Sequence, residues 1–323
     1  MAERLTPAAA GGPNSADDLI MPFRTERSGV FGRVVRLGSV VDSILNRHDY
    51  PEPVSRALGE AVALTTLLGS SLKFDSAYGG RLILQTKTDG PISLLVVDFE
   101  EPGRVRAYAS FDKEKVEAVA SAARKEPGLL LGTGHLAMTI DPGGNLDRYQ
   151  GIVALDGCGL SEAAHTYFRQ SEQIPTFLRL AVARHFAAGS WQWRAGGLLV
   201  QYVPPVEEGA SSDDENEEVL LGEEDERWTG TRMLAETVED HELLDPTLSP
   251  ERLLYRLFAD VGVRAFPTVS LEEHCRCSRD RVSNLLESFG ADELKDMREE
   301  DGAITVTCEF CNSKYRFETE EIA

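Results

Sequence analysis

A chain of 323 residues with 42% hydrophobic side chains is long enough to build one large core and a smaller unit beside it. Its formal net charge of −21 sets it against nucleic-acid phosphates and anionic membrane surfaces, because an acidic field repels both. Five cysteines are too few for a disulfide scaffold, and no apolar run is long enough for a bilayer crossing, so the expectation is a cytoplasmic protein with reduced thiols and no membrane span.

Residues 1–17 carry Ala, Gly, Pro and Ser without the long apolar stretch of a signal peptide, and they predict a disordered tail. Residues 18–204 then read as one large α+β domain of antiparallel sheet with packed helices. Behind Pro51 and Pro53, the helical spacing of Val54, Leu58, Val62 and Leu68 predicts one long, mostly buried helix. RLILQTKT, ISLLVVDF and RVRAYASF follow, parted by turns at Asp89-Gly90-Pro91 and Pro102-Gly103, as a meander of three strands. Gly132-Thr133-Gly134 lacks the Lys and Ser/Thr of a phosphate loop and reads as a bend between strands. GHLAMTI and RYQGIVAL flank the turn Asp141-Pro142-Gly143-Gly144. A helix through SEAAHTYFRQSEQ precedes more sheet, and GGLLVQYV stops at Pro204-Pro205.

Within this domain the chemistry-bearing residues are weak signals. Cys158, between Gly157 and Gly159, reads as a small buried apolar residue. Gln150, Ser171, Glu172 and Gln173 read as a helix cap that satisfies buried backbone groups. His135, His165 and His185 have no serine or cysteine partner in a hydrolase motif, and no catalytic residue is assigned: the chain is not expected to be an enzyme.

Residues 205–227 read as an acidic disordered insertion, with eleven acidic and no basic side chains from Glu207 to Glu226. From 228 to 270 helical spacing returns as a metastable linker. Met233, Leu234 and Val238 mark one piece; Leu253, Leu254, Leu257 and Phe258 mark another, opened by Ser249 as cap and Pro250 as first residue. Helices this short need a surface to lie on, and a segment so dependent on docking can let go.

Residues 271–323 hold four of the five cysteines: Cys275 and Cys277 as C-x-C, then, thirty residues on, Cys308 and Cys311 as C-x-x-C. Val282, Leu285, Leu286 and Phe289 form a helical face ending at Gly290. Leu294 and Met297 suggest a second helix, and AITVT and KYRFE two strands with the second cysteine pair on the turn between them. Two tight pairs from distant parts of a small segment are how a tetrahedral four-thiolate zinc site is built. The segment has too few large apolar groups for a core of its own, and structural zinc contributes about 10–16 kcal/mol of apparent folding free energy. Arg276, Arg279, Arg281 and Lys314 are read as solvating the surface, and His274 as a surface or supporting residue rather than a ligand. A zinc-bound thiolate also stays open to strong oxidants, so spacing leaves a permanent staple and a redox switch both open.

With these residues in view, the chain resembles the heat-shock protein 33 family, redox-regulated holdase chaperones of the bacterial cytoplasm. The segment from CRCSR to CEFCNSKYRF is similar to the family's zinc module, and RHDYPEPV, LKFD, DGPISLLVVD, YQGIVALDG and YFRQSEQIPT are similar to its signatures upstream. The likeness runs from about residue 18 to the end, with the acidic run as an insertion. It implies that Cys275, Cys277, Cys308 and Cys311 hold one zinc ion in the reduced, inactive state, and that disulfide formation releases zinc and unfolds the module and linker. It further implies ATP-independent binding of unfolding client proteins to prevent aggregation, and a homodimer when oxidised. Oxidation is expected to join near neighbours, Cys275 to Cys277 and Cys308 to Cys311, because each pair needs little backbone movement to bridge. The competing readings are a thiol-disulfide oxidoreductase using Cys308 and Cys311, which lacks the helix-opening βαβ context of that chemistry, and a zinc-ribbon nucleic-acid binder. Fourteen acidic against seven basic residues from Leu271 to Ala323 give the latter the wrong sign.

Overall fold

The computed structural model describes residues 3–5, 17–72, 79–144, 146–187, 189–203 and 225–318. Residues 6–16 and 204–224, the body of the predicted tail and of the predicted acidic insertion, lie outside the described residues. The edges of both regions differ from expectation. Glu3–Arg4 form a strand, β1, because Leu5 is buried and Arg4 pairs with Glu26 at 2.9 Å. Asp225 is a helix cap that accepts from the Arg227 N–H, so the linker's first helix begins inside the acidic run.

Ahead of the predicted long helix stand elements that the sequence pattern does not announce: β2 (Leu19–Thr25), β3 (Val30–Leu37) and α1 (Ser39–Asn46). Pro22 in β2, and Gly32 with two arginines in β3, break the alternation by which strands are read. Gly32 is a packing requirement, since a Cβ there would stand 2.2 Å from the Phe23 ring. Helix α2 (Glu52–Gly69) follows, and all four expected positions, Val54, Leu58, Val62 and Leu68, are buried. Every residue from Ala61 to Gly69 is buried, so the second half of the helix is enclosed on all sides, and Thr65 and Thr66 satisfy their hydroxyls on the carbonyls of Ala61 and Val62 at 2.7 Å each.

The meander is β4 (Arg81–Thr88), β5 (Ile92–Glu100) and β6 (Arg104–Phe111), as expected. Next come α3 (Lys113–Ala123), whose only buried residues are Val116 and Ala123 and whose pattern is correspondingly faint, and α4 (Gly128–Leu131). Gly132, at φ +67°, turns α4 into β7 (Thr133–Asp141), so Gly132-Thr133-Gly134 is a helix-to-strand turn and not a bend between strands. Strand β8 (Tyr149–Asp156), α5 (Leu160–Tyr167, continued by a π-type turn), β9 (Thr176–Ala187) and β10 (Ser190–Tyr202) complete the part before the linker.

The linker contains α6 (Glu226–Glu236), α7 (Asp240–Leu244) and α8 (Pro250–Phe258). It then leaves helix for two short strands, β11 (Val263–Ala265) and β12 (Val269–Ser270), and a third, β13 (Glu272–Glu273), opens the cysteine-bearing segment. A seven-stranded sheet runs β1-β11-β2-β3-β10-β9 with β12 also on β2, and a six-stranded sheet runs β13-β6-β5-β4-β7-β8. Helix α2 packs on strands of both sheets, and this sandwich is the main core. On the other side of the first sheet the linker helices make a second core: Trp228, Leu253, Leu254, Leu257 and Phe258 against Phe23, Val34, Leu198 and Tyr202. Met233, expected on the apolar face, is 59% exposed.

Two buried arginines of the first sheet fasten this layer. Arg36 donates to the carbonyls of Asp245 and Leu248, and Arg194 donates to the Leu244 carbonyl at 2.7 Å and to Asp17 at 2.6 Å. Buried guanidinium groups must have such acceptors, and here most of them belong to the linker.

Candidate metal centre and the surface that seats it

The C-terminal module is α9 (Arg279–Leu286), α10 (Ala291–Asp296) and the hairpin β14 (Ile304–Thr307) with β15 (Lys314–Phe317). Ser278 starts α9 by accepting from the Arg281 N–H. Its core consists of Val282, Leu286, Leu294, Ile304 and Phe317, with Phe289, Val306 and Tyr315 packed against it. Leu285 and Met297, expected to face inward, are 53% and 40% exposed.

Cys308 and Cys311 sit on the hairpin turn, as expected, where the Cys308 N–H donates to Ser313 and Asn312 takes φ 58°. Cys275 and Cys277 lie on the strand-to-helix connection before α9. The four sulfurs lie within 4.8 Å of one another: Cys275 to Cys277 is 3.4 Å, Cys275 to Cys308 3.7 Å and Cys277 to Cys311 3.2 Å. Four sulfurs at about 2.3 Å from a tetrahedral zinc ion stand about 3.8 Å apart, so the set fits the ion in number, softness and spacing. His274 is exposed and outside the cluster; its backbone N–H donates to Val105.

The thiols share their charge unequally. Burial, against the Tyr315 hydroxyl 3.1 Å away, pushes Cys277 up to about 12. Burial raises Cys308 as well, although the Cys311 and Phe310 backbones oppose it. Burial also works upward on Cys311, but the Ser313 side chain and backbone and the neighbouring thiols outweigh it and bring it down to about 6. Binding of a divalent ion here must therefore expel protons from the cluster.

The module is seated on β6 and α1 by groups the sequence reading passed over. Strand β13 runs parallel to β6, with Arg104 on Glu272 at 3.0 Å. Arg47 of α1's end pairs with Glu273 and donates to the Cys311 carbonyl at 3.4 Å, and Asn312 donates back to the Arg47 carbonyl at 3.3 Å. Arg276, read from sequence as a solvating charge, instead donates to Asp98 at 2.7 Å. Arg279 lies over Phe317 at 4.4 Å, and Arg281 donates to the Arg276 carbonyl at 2.7 Å, so neither merely solvates the surface; Lys314 is exposed. One signal was present: an aspartate inside the apolar run ISLLVVDF must have a buried cationic partner.

The remaining candidates assemble no site. Gln173, at φ 52°, does cap the turn that continues α5, its backbone N–H donating to the carbonyl of buried Phe168; Gln150 instead donates to Thr139 on an exposed strand, and Glu172 accepts from Tyr167 at 2.5 Å. Cys158 is half-buried against the main core, and burial raises its thiol. His135, His165 and His185 stand apart from the four cysteines that could hold a metal.

The sequence pattern of the Hsp33 protein family matches residues 18–318. The chain belongs to the Hsp33 family. A 33 kDa chaperonin of Caulobacter vibrioides is 45% identical over 303 residues, covering 94% of this chain and 95% of that protein. One from Ectopseudomonas mendocina is 36% identical over 308 residues, 95% of this chain and 94% of that one. The crystal structure of a 33 kDa chaperonin (heat shock protein 33 homolog) from Thermotoga maritima aligns with TM-score 0.71 at 23% identity, over 94% of this chain and 96% of that one. Membership in the Hsp33 family agrees with the mixed α+β fold and with a C-terminal four-cysteine cluster able to hold zinc. Among the described residues no helix of this Hsp33-family chain is long and apolar enough to cross a membrane.

Proposed function

We propose that the protein is a redox-regulated, ATP-independent holdase of the cytoplasm, inactive while Cys275, Cys277, Cys308 and Cys311 hold zinc and active once they are oxidised. The gathering of these four sulfurs within 4.8 Å of one another carries the reading. Zinc, when bound, supplies the folding free energy that a core of five buried side chains does not. Each disulfide consumes two of the four thiolates, which give up two electrons to a peroxide that takes two protons from solvent and leaves as two waters. With the ligands gone the module loses its order, the linker loses its anchor at β13, and apolar surface of the second core becomes available to unfolding clients. The oxidised chain acts as a homodimer.

Near-neighbour pairing, Cys275 with Cys277 and Cys308 with Cys311, is the expected product. The folded cluster places cross-pair sulfurs just as close, 3.7 Å for Cys275 to Cys308 and 3.2 Å for Cys277 to Cys311. Once the ion leaves and the module opens, only cysteines near in sequence stay together.

The test combines metal analysis, peptide mapping and light scattering. Purified reduced protein is expected to carry one zinc ion per chain, and peroxide with mild heat to release it, form the two near-neighbour disulfides and confer suppression of client aggregation. Zinc release without aggregation suppression would overturn the chaperone reading, and catalytic turnover of client disulfides would favour the oxidoreductase.

A further inference from the structure

Asp98 on β5 and Arg106 on β6 are register partners across the six-stranded sheet, on the face that seats the module. Arg106 donates to Asp98 Oδ2 through Nε at 2.8 Å and through Nη2 at 2.5 Å, and Arg276 donates to the same oxygen at 2.7 Å. The Asp98 side chain is only 8% exposed. The Arg106 guanidinium also lies 3.9 Å from the centre of the Phe310 ring, which Tyr108 flanks at 6.4 Å. Glu100 stands 3.8 Å from Arg276 as a second, weaker acceptor.

The positions of these two module residues matter more than the contacts alone. Arg276 is the residue enclosed by Cys275 and Cys277, and Phe310 is enclosed by Cys308 and Cys311. One ion pair on the sheet therefore grips the interior of both cysteine pairs. A disulfide across one or two intervening residues closes a small ring, and the enclosed backbone must abandon the conformation that now presents Arg276 and Phe310 side by side.

We propose that the Asp98–Arg106 pair is the receptor that reads the state of the four cysteines, seating the module on β6 only while both pairs keep their four-sulfur geometry. Its static half, that this pair seats the module, stands independently; its redox half rests on the function proposed above. A buried carboxylate gripped by two guanidinium groups is a strong but conditional contact, because removal of one member leaves the others buried without a partner.

The experiment uses the full-length reduced, zinc-loaded chain and amide hydrogen exchange at Glu272 and His274, whose N–H groups donate to Gly103 and Val105 of the sheet. In Asp98→Asn, exchange at these two amides should rise about tenfold or more while zinc stoichiometry and the protection of α2 stay at wild-type levels. Arg276→Gln, a change on the module side that leaves the sheet intact, should act in the same direction, and the double variant should fall short of the two effects combined. Arg106→Lys should retain more protection than Arg106→Met. Wild-type protection in both Asp98→Asn and Arg276→Gln overturns the proposal, and so does fully additive behaviour of the two. In oxidised wild type the same amides should exchange about tenfold faster, with no further gain from Asp98→Asn. Persistent protection after zinc has been released overturns the redox half. A wild-type chain that keeps its zinc under oxidant overturns the function proposed above and leaves the static half standing on the variants.

Discussion

Glu60 is a carboxylic acid in a place that favours the proton. It lines a cavity of about 850 Å³ between α2, the α3–α4 region, β9 and Asp240 of the linker, among Ala57, Leu130, Leu160 and Val182. Burial pushes its carboxyl from the ordinary 4.5 up to about 7, with Arg56 pulling the other way and Asp240 adding to the rise. The native state thus holds this proton more tightly than the unfolded chain does. Its contribution to stability is full below about pH 4.5, declines as pH rises toward about 7, and is gone above that. Glu60→Gln should remove the dependence, raising stability by about 3 kcal/mol at pH 7.5 and leaving it nearly unchanged at pH 4.5. Urea unfolding at both pH values checks this; an equal shift at the two would assign the effect to packing rather than to the proton.

At the scale of elements, the linker differs from a docked connector by supplying half of a core. Trp228, Leu253, Leu254, Leu257 and Phe258 are all buried, and Phe258 stacks on Phe23 at 5.4 Å. Truncating a buried aromatic of this kind costs about 3–5 kcal/mol. Phe258→Ala should therefore loosen α8 while the four cysteines still hold their metal. If the surface beneath α8 is what clients meet, this variant should suppress aggregation without oxidant at temperatures where wild type does not. Light scattering beside zinc analysis tests it, and an inactive variant with an exposed linker would move the client surface elsewhere. The linker was partly legible beforehand: Ser249 and Pro250 mark the start of α8, and its buried face matches the helical spacing. The strands that follow α8 were not, because β11, β12 and β13 are only two or three residues long and exist through their partners on β2 and β6. The same reason explains the candidate site. Cysteine spacing carries the ligand set, which is local, whereas the seating of Arg276 on Asp98 joins residues 178 positions apart and leaves only an isolated aspartate as its trace.

For the whole molecule the decisive quantity is charge. A holdase gains affinity by burying apolar surface, yet the rate at which it meets a client is governed by long-range fields. If the chain is the oxidation-activated holdase proposed above, its net charge of −21 should make it capture cationic clients faster than anionic ones. Ionic strength should separate the two: raising salt from about 0.02 M to about 0.3 M should slow capture of a basic client about tenfold and speed capture of an acidic one, as the Debye length shrinks. Deleting residues 207–224 removes nine acidic side chains and should flatten both responses. Because apolar burial resists salt or is strengthened by it, identical salt responses for basic and acidic clients would assign encounter as well as binding to the apolar surface. Stopped-flow capture of two labelled clients of opposite charge makes the comparison, with metal content and reduced-state activity of the deleted and full chains measured alongside.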